Sequence, residues 1–260
     1  MLSNQSHSAL EEKQDIRLIC TAAQMVLENG GETYRVEETA MRMAVGLGLE
    51  DVNVVAFPTS IYVNVGERCR IRRITRRGTN TMRLARINDV SRKVERGELS
   101  AKAAERLLAE IAADPGWHHL TLIAAYGVSA ASFSLLFGGG FATLLVTLVI
   151  GMLVQAIQPL FDQLSMGKLL FNFSGGFLTA VLAEAAAHAV SYGSVNAAII
   201  GGIMPMLTGL LMTTAVRDTM YGDLISGICR AVEALLLAGC VALGVFSGLK
   251  LASMMGGVLL

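Results

Sequence analysis

Past Trp117 the alternation of apolar and polar positions gives way to long, nearly uniform apolar runs. Five follow one another, at 119–137, 140–157, 169–190, 195–216 and 224–247. Each is close to the roughly 20 residues a helix needs to cross about 30 Å of hydrocarbon. The breaks are "GGG" at 138–140, "QPLFDQLSMGK" at 158–168, "SYGS" at 191–194 and "RDTMYGD" at 217–223. Buried helices of a large soluble protein are a poor account of this pattern, because five successive segments leave no polar face for water.

Before Trp117 the pattern is that of a water-facing domain. Ile16, Ile19, Ala23, Val26 and Leu27 recur at helical spacing, and "NGG" at 29–31 ends the run. Val36, Ala40, Met43, Ala44 and Leu47 form a second stripe. "VNVVAF" and "SIYVNV" read as strands around Pro58, and "CRIRRIT" alternates after a turn at Gly66. Helices over 81–96 and 100–113 follow, stopped by "DPG" at 114–116. The expected fold is an α-helical integral membrane protein with five transmembrane helices and an α+β cytoplasmic N-terminal domain, divided as 1–116 and 117–260.

Small residues suggest a packed bundle rather than separate anchors. Gly244 and Gly248 form GxxxG, Ala183 and Ala187 repeat the spacing, and Gly175–Gly176 and Gly201–Gly202 are pairs. Pro205 falls inside the fourth run, where its missing N–H should kink or break the helix.

Charge sharpens the division. The chain has 21 basic and 21 acidic residues, yet only Lys168, Arg217, Arg230 and Lys250 among the bases follow Trp117. Among the acids only Asp162, Glu184, Asp218, Asp223 and Glu233 do so. Lys168 and Arg217 mark the second and fourth loops, whereas the first and third are uncharged. With the basic N-terminal domain, this predicts a cytoplasmic amino terminus and an external carboxyl terminus; Lys250 alone falls on the wrong side. The first residues lack the basic and apolar regions of a cleavable signal, so the first span would serve as its own insertion signal. "RCRIRRITRR" at 68–77 lacks interleaved aromatics, so a solvated face or contact with anionic headgroups fits better than nucleic acid. Cys20, Cys69, Cys229 and Cys240 are scattered, and neither a metal nor another cofactor is expected.

Candidate chemistry concentrates in a few polar residues of the apolar half. Arg217, Asp218 and Asp223 fall in the predicted cytoplasmic loop before the fifth span. Arg230 and Glu233, at i,i+3 spacing, enter that span on one face. Either they meet a substrate in a water-filled cavity, or the loop charges are solvated and an Arg–Glu pair pins the helix end. Glu184 and His188, one turn apart in the third span, could relay protons. Equally, His188 could lie at the outer interface while Glu184 bonds across the bundle. Asn172 could meet a substrate or join helices. "GGETYRVEETA" at 30–40 reads as a helix start whose acids, Glu32, Glu37 and Glu38, suit the helix dipole. No nucleophile elbow, phosphate loop or zinc-protease motif is present, and no enzyme activity is expected.

"GGETYRVEETA", "AFPTSIYV", "LFGG" at 136–139 and "RDTMYGDLISGICRAVEA", in that order, resemble the threonine/serine exporter family, most closely its bacterial YjjP-like members. The resemblance covers nearly the whole chain. It implies a cytoplasmic domain followed by five spans, and export of threonine and serine or of a dicarboxylate such as succinate. The family's Arg-Asp and Gly-Asp pairs fall on Arg217–Asp218 and Gly222–Asp223, and its Arg and Glu on Arg230 and Glu233. Where the family often has Pro-Gly before the Arg-Asp pair, this chain reads "LTGLL" at 207–211, with Pro205 earlier. In fused members a second membrane half follows; this chain stops at Leu260, which implies a separate small membrane subunit, with higher oligomers left open.

The resulting expectation is half of a secondary exporter in the lipid bilayer, moving a small carboxylate metabolite with the proton gradient. Its cavity would lie between spans three, four and five. Arg217 or Arg230 would meet the substrate, and Glu184 or a loop aspartate would couple protons. The alternatives are a hydrolase-like enzyme working through the N-terminal domain, and a passive metabolite channel.

Overall fold

The computed structural model describes residues 2–164, 166–189, 193–207 and 209–256. Val190, the expected end of the third span, lies outside them, as do Ser191 and Tyr192 of the "SYGS" break, Ser165 and Thr208. By packing, the chain forms two compact units, one of Met1–Asp114 with Thr213–Ala231, the other of Pro115–Met212 with Val232–Leu260.

The first unit opens with α1 (Leu2–Glu28) and α2 (Thr33–Gly46), continues through strands β1 (Val52–Phe57), β2 (Ser60–Val65) and β3 (Arg68–Arg73), and then α3 (Thr81–Glu95) and α4 (Ala101–Ala113). The strands make an antiparallel meander in the order β1-β2-β3, with Val52 opposite Val65 and Ile61 opposite Arg72. The helix starts follow capping chemistry: the Asn80 side chain accepts the Arg83 N–H at 3.0 Å, and Ser100 accepts that of Ala103 at 3.4 Å. Ile19, Leu27, Val36, Met43, Ile61, Val63, Ile87, Val94 and Leu108 fill one core.

The basic strand is not simply a solvated face. Cross-strand partners share a side of the sheet, and Arg68, Arg70 and Arg72 stand opposite Val65, Val63 and Ile61. Those three apolar residues are buried, while Ile71 is exposed. The arginines therefore lie on the core side of an edge strand, their aliphatic stems covering apolar surface. Inward-pointing charge at an edge also discourages pairing with another sheet.

The second unit contains α5 (His119–Leu136), α6 (Phe141–Ala156), the short α7 (Gln158–Gln163) within the second expected break, α8 (Lys168–Ala189) and α9 (Val195–Ile203). A 3-10 turn, Met204–Met206, carries Pro205 and separates α9 from α10 (Gly209–Met220). The fourth span is thus two helices, because proline can neither donate to the ladder nor fit against the preceding turn. The last helix, α11, runs Leu224–Gly256. Among the described residues, four stretches are long and apolar enough to cross a membrane, His119–Leu136, Phe141–Gln163, Lys168–Ala189 and Leu224–Met254; the bent pair Val195–Met206 and Gly209–Met220 makes a fifth if counted as one span.

Close backbone approaches hold this unit together. A Cβ on Gly244 would lie 2.1 Å from the Phe173 carbonyl oxygen, one on Gly248 2.6 Å from that of Phe177, and one on Gly176 2.6 Å from that of Val241. The GxxxG pair of α11 therefore seats directly on α8. Only 22–33% of each spanning segment is buried, leaving Leu136, Phe141, Leu235, Leu243 and Phe246 outward. That is the surface of a protein whose surroundings are themselves apolar.

Candidate functional site

Arg217 and Asp218 lie in the last turns of α10, not in a solvated loop, and Asp223 immediately precedes α11. The hairpin between these helices is tight for two local reasons. Gly222 has φ +93°, and the Asp223 N–H reaches back to the Asp218 carbonyl at 2.9 Å, closing α10 with a left-handed glycine cap. A Cβ on Gly227 would come within 2.8 Å of the Ala215 carbonyl oxygen, so α11 can start against α10 only with glycine there.

The N-terminal "GGETYR" turn packs onto this hairpin, within the same compact unit. Asp218 is fully buried; its Oδ1 accepts the backbone N–H of Thr33 at 3.2 Å. A carboxylate from far along the chain thus takes the place of a local cap for α2, whose N-terminus favours an anion. The Thr33 hydroxyl donates to Asp223 Oδ2 at 2.8 Å. Arg230, also buried, donates from Nη2 to the Gly31 carbonyl at 2.9 Å and holds its Nε 2.8 Å from Asp218 Oδ2. That last contact is a charge pair in distance but is not aligned as a hydrogen bond.

Glu32 is expected from sequence as an acid at a helix start, but its carboxylate does not cap α2. It is buried and takes the Arg217 guanidinium on Oε1, with Arg35 Nε 3.4 Å from Oε2. The Tyr34 and Tyr221 rings stack, 4.1 Å between centroids and 11° between planes. Glu37 Oε1 accepts the Ala56 N–H at 2.9 Å; burial raises its carboxyl above the usual range, with the negative charge of Asp223 adding to the shift. The side chain of Arg230 is 3% exposed, whereas that of Arg217 is 49% exposed. Of these two cations, Arg217 is the one open to solvent.

The remaining candidates belong to the second unit. Asn172 is buried, its amide 3.4 Å from the Leu237 carbonyl, which joins α8 to α11. Glu184 is half-buried and His188 exposed, with no hydrogen bond joining them among the described residues. Glu233 is half-buried on α11, one turn beyond Arg230. No group of three or more metal-ligating side chains occurs among the described residues. Sequence reasoning overlooked the roles of Gly31, Glu32, Thr33 and Tyr34. The one signal pointing to them was that their segment and the Arg-Asp segment both carry the family resemblance.

A family model described as "Putative threonine/serine exporter" matches residues 17–252. The "Threonine/serine exporter" of Corynebacterium glutamicum is 22% identical over 231 residues, which is 85% of this chain and 47% of that protein. The "Probable threonine/serine exporter" of Mycobacterium tuberculosis is 23% identical over 251 residues, 93% of this chain and 47% of that one. The "Probable succinate transporter subunit YjjP" of Klebsiella aerogenes is 23% identical over 254 residues, covering 95% and 97%. The chain thus spans about half the length of the two exporters and nearly all of the succinate transporter subunit. No solved structure matches it. With several apolar helices and a family match running from α1 into α11, this multi-pass membrane protein belongs to the threonine/serine exporter family.

Proposed function

We propose that the chain is one half of a secondary exporter for small carboxylate metabolites, a dicarboxylate such as succinate or the amino acids threonine and serine. The observation that carries this reading is the polar cluster joining Gly31–Tyr34 to Arg217–Asp223 and Arg230. Arg217, half-exposed and forked, receives the substrate carboxylate in competition with Glu32. Asp218 and Arg230 act as positioning residues that hold the α10–α11 hairpin against α2. Asp223, or Glu184 in the membrane, exchanges the coupling proton.

The charge distribution supports a cytoplasmic amino terminus, and the bacterial sources of the relatives support residence in a bacterial inner membrane. The length of α11 fits this arrangement. Its 33 residues rise about 50 Å, well beyond a hydrocarbon layer of about 30 Å, so its first turns, with Arg230, can stand at the cytoplasmic face. A relative of matching length is named a subunit, which supports a second membrane half as partner. Five spans would set a similar appended half upside down, the inverted-repeat plan of many carriers.

The reading is tested in a strain lacking the exporter, complemented with this chain and a partner half, by comparing intracellular and medium pools of succinate, threonine and serine. Export that needs the chain and collapses with the proton gradient is expected. Export persisting without the gradient would favour a passive channel. Unchanged pools in the complemented strain would overturn the reading.

A further inference from the structure

A second polar concavity lies between α2 and α3, bordered by Tyr34. Arg35, Glu38 and Arg42 recur at i, i+3, i+7 on α2, and Ala85, Asn88 and Arg92 repeat that spacing on α3. Two turns of each helix therefore present one face to the other. They line a cleft of about 210 Å³ formed by Tyr34, Arg35, Glu38, Arg42, Asn88 and Arg92. An adjoining cleft of about 350 Å³ shares Arg35, Asn88 and Arg92.

The donors outnumber the acceptors. Arg42 is held by Glu38, with Glu95 at 3.8 Å, and Arg35 lies 3.4 Å from Glu32. Arg92 is exposed and has no acceptor among the described residues. The Thr39 hydroxyl donates to Asn88 Oδ1 at 3.3 Å, which turns the amide so that its NH2 remains to donate. A planar guanidinium fork, a free amide NH2 and the spare edges of two more arginines match a ligand with two anionic groups.

We infer that this cleft binds a small dianion, through either two carboxylates or a phosphate. Binding would draw Arg35 toward the ligand and leave Glu32 to Arg217 alone. A solute in the cleft is thereby linked to the candidate transport site. This linkage, unlike the binding itself, rests on the function proposed above.

The test is calorimetric titration of the full-length protein in detergent micelles, with succinate and separately with inorganic phosphate. Saturable binding of at least one is expected, and which one binds identifies the anionic group. Arg92→Ala should weaken it about tenfold or more, as loss of a charge-assisted bond does. Arg92→Gln, on an exposed position, provides a second well-folded variant and should behave like Arg92→Ala. Absence of saturable binding by both anions would overturn the inference, as would wild-type affinity in Arg92→Ala. Either result would leave export by the wild-type protein, and so the transport reading, untouched.

Discussion

Asp218 and Arg230 form a buried charge pair, 2.8 Å apart, with side chains 0% and 3% exposed. Removing one partner strands the other where water cannot reach it, at about 3–5 kcal/mol. Asp218→Asn and Arg230→Ala should each lower the melting temperature and the amount of inserted protein. The double apolar replacement Asp218→Leu with Arg230→Met should recover much of that stability. Detergent-solubilised melting curves of the four proteins measure this. A double variant less stable than both singles would contradict the pairing.

Thr33 connects Asp218 through its N–H and Asp223 through its hydroxyl. Thr33→Val keeps shape and backbone but loses the bond to Asp223, worth about 1.5–3 kcal/mol for a bond to a charged group. Export should fall severalfold at normal protein level, and Thr33→Ser should restore most of it. Equal export by the Val and Ser proteins would show that the hydroxyl has no part in transport.

Arg217 should tolerate neither Ala nor Lys. Alanine removes the carboxylate site and leaves Glu32 to Arg35, whereas lysine keeps the charge but loses the fork. Export rates in cells with matched protein levels should be near background for Arg217→Ala and much reduced for Arg217→Lys. Normal export by inserted Arg217→Ala would move substrate binding elsewhere, with Arg230 or Glu184 next to be tried.

Glu37 predicts a pH dependence of stability. Its folded pKa is raised by burial, so between its ordinary value and the raised one the folded state holds a proton that the unfolded state has released. Stability from this group is therefore lost as pH rises through that window and regained as pH falls. Glu37→Gln, which can still accept the Ala56 N–H, should flatten this slope and raise the melting temperature at neutral pH. Melting curves from pH 4.5 to 7 decide; an unchanged slope would mean that Glu37 is not the titrating group.

Gly244 allows α11 onto α8, since a Cβ there would lie 2.1 Å from the Phe173 carbonyl oxygen. Gly244→Ala must push the helices apart and should destabilise by about 1–3 kcal/mol. Gly239 has nothing near its missing Cβ, so Gly239→Ala should be neutral in the same melting assay.

Local pattern alone determined most of the elements. The strands 52–57 and 60–65, the helices near 81–96 and 100–113, and the apolar runs all appear where periodicity, turn residues and span length put them. Such signals lie within a few neighbouring residues, and so does the break at Pro205, which follows from a single missing N–H. The tertiary structure decided which side of the sheet the β3 arginines occupy and which charges meet. Thr33 bonds Asp218 across 185 positions, and Arg230 reaches Gly31 across 199. Periodicity carries no information about such pairings. Asp218 looks like a loop acid and Glu32 like a helix-start acid until the hairpin folds onto α2. Burial then removes water as their partner, and each carboxylate must find its donors in a segment far away in the chain.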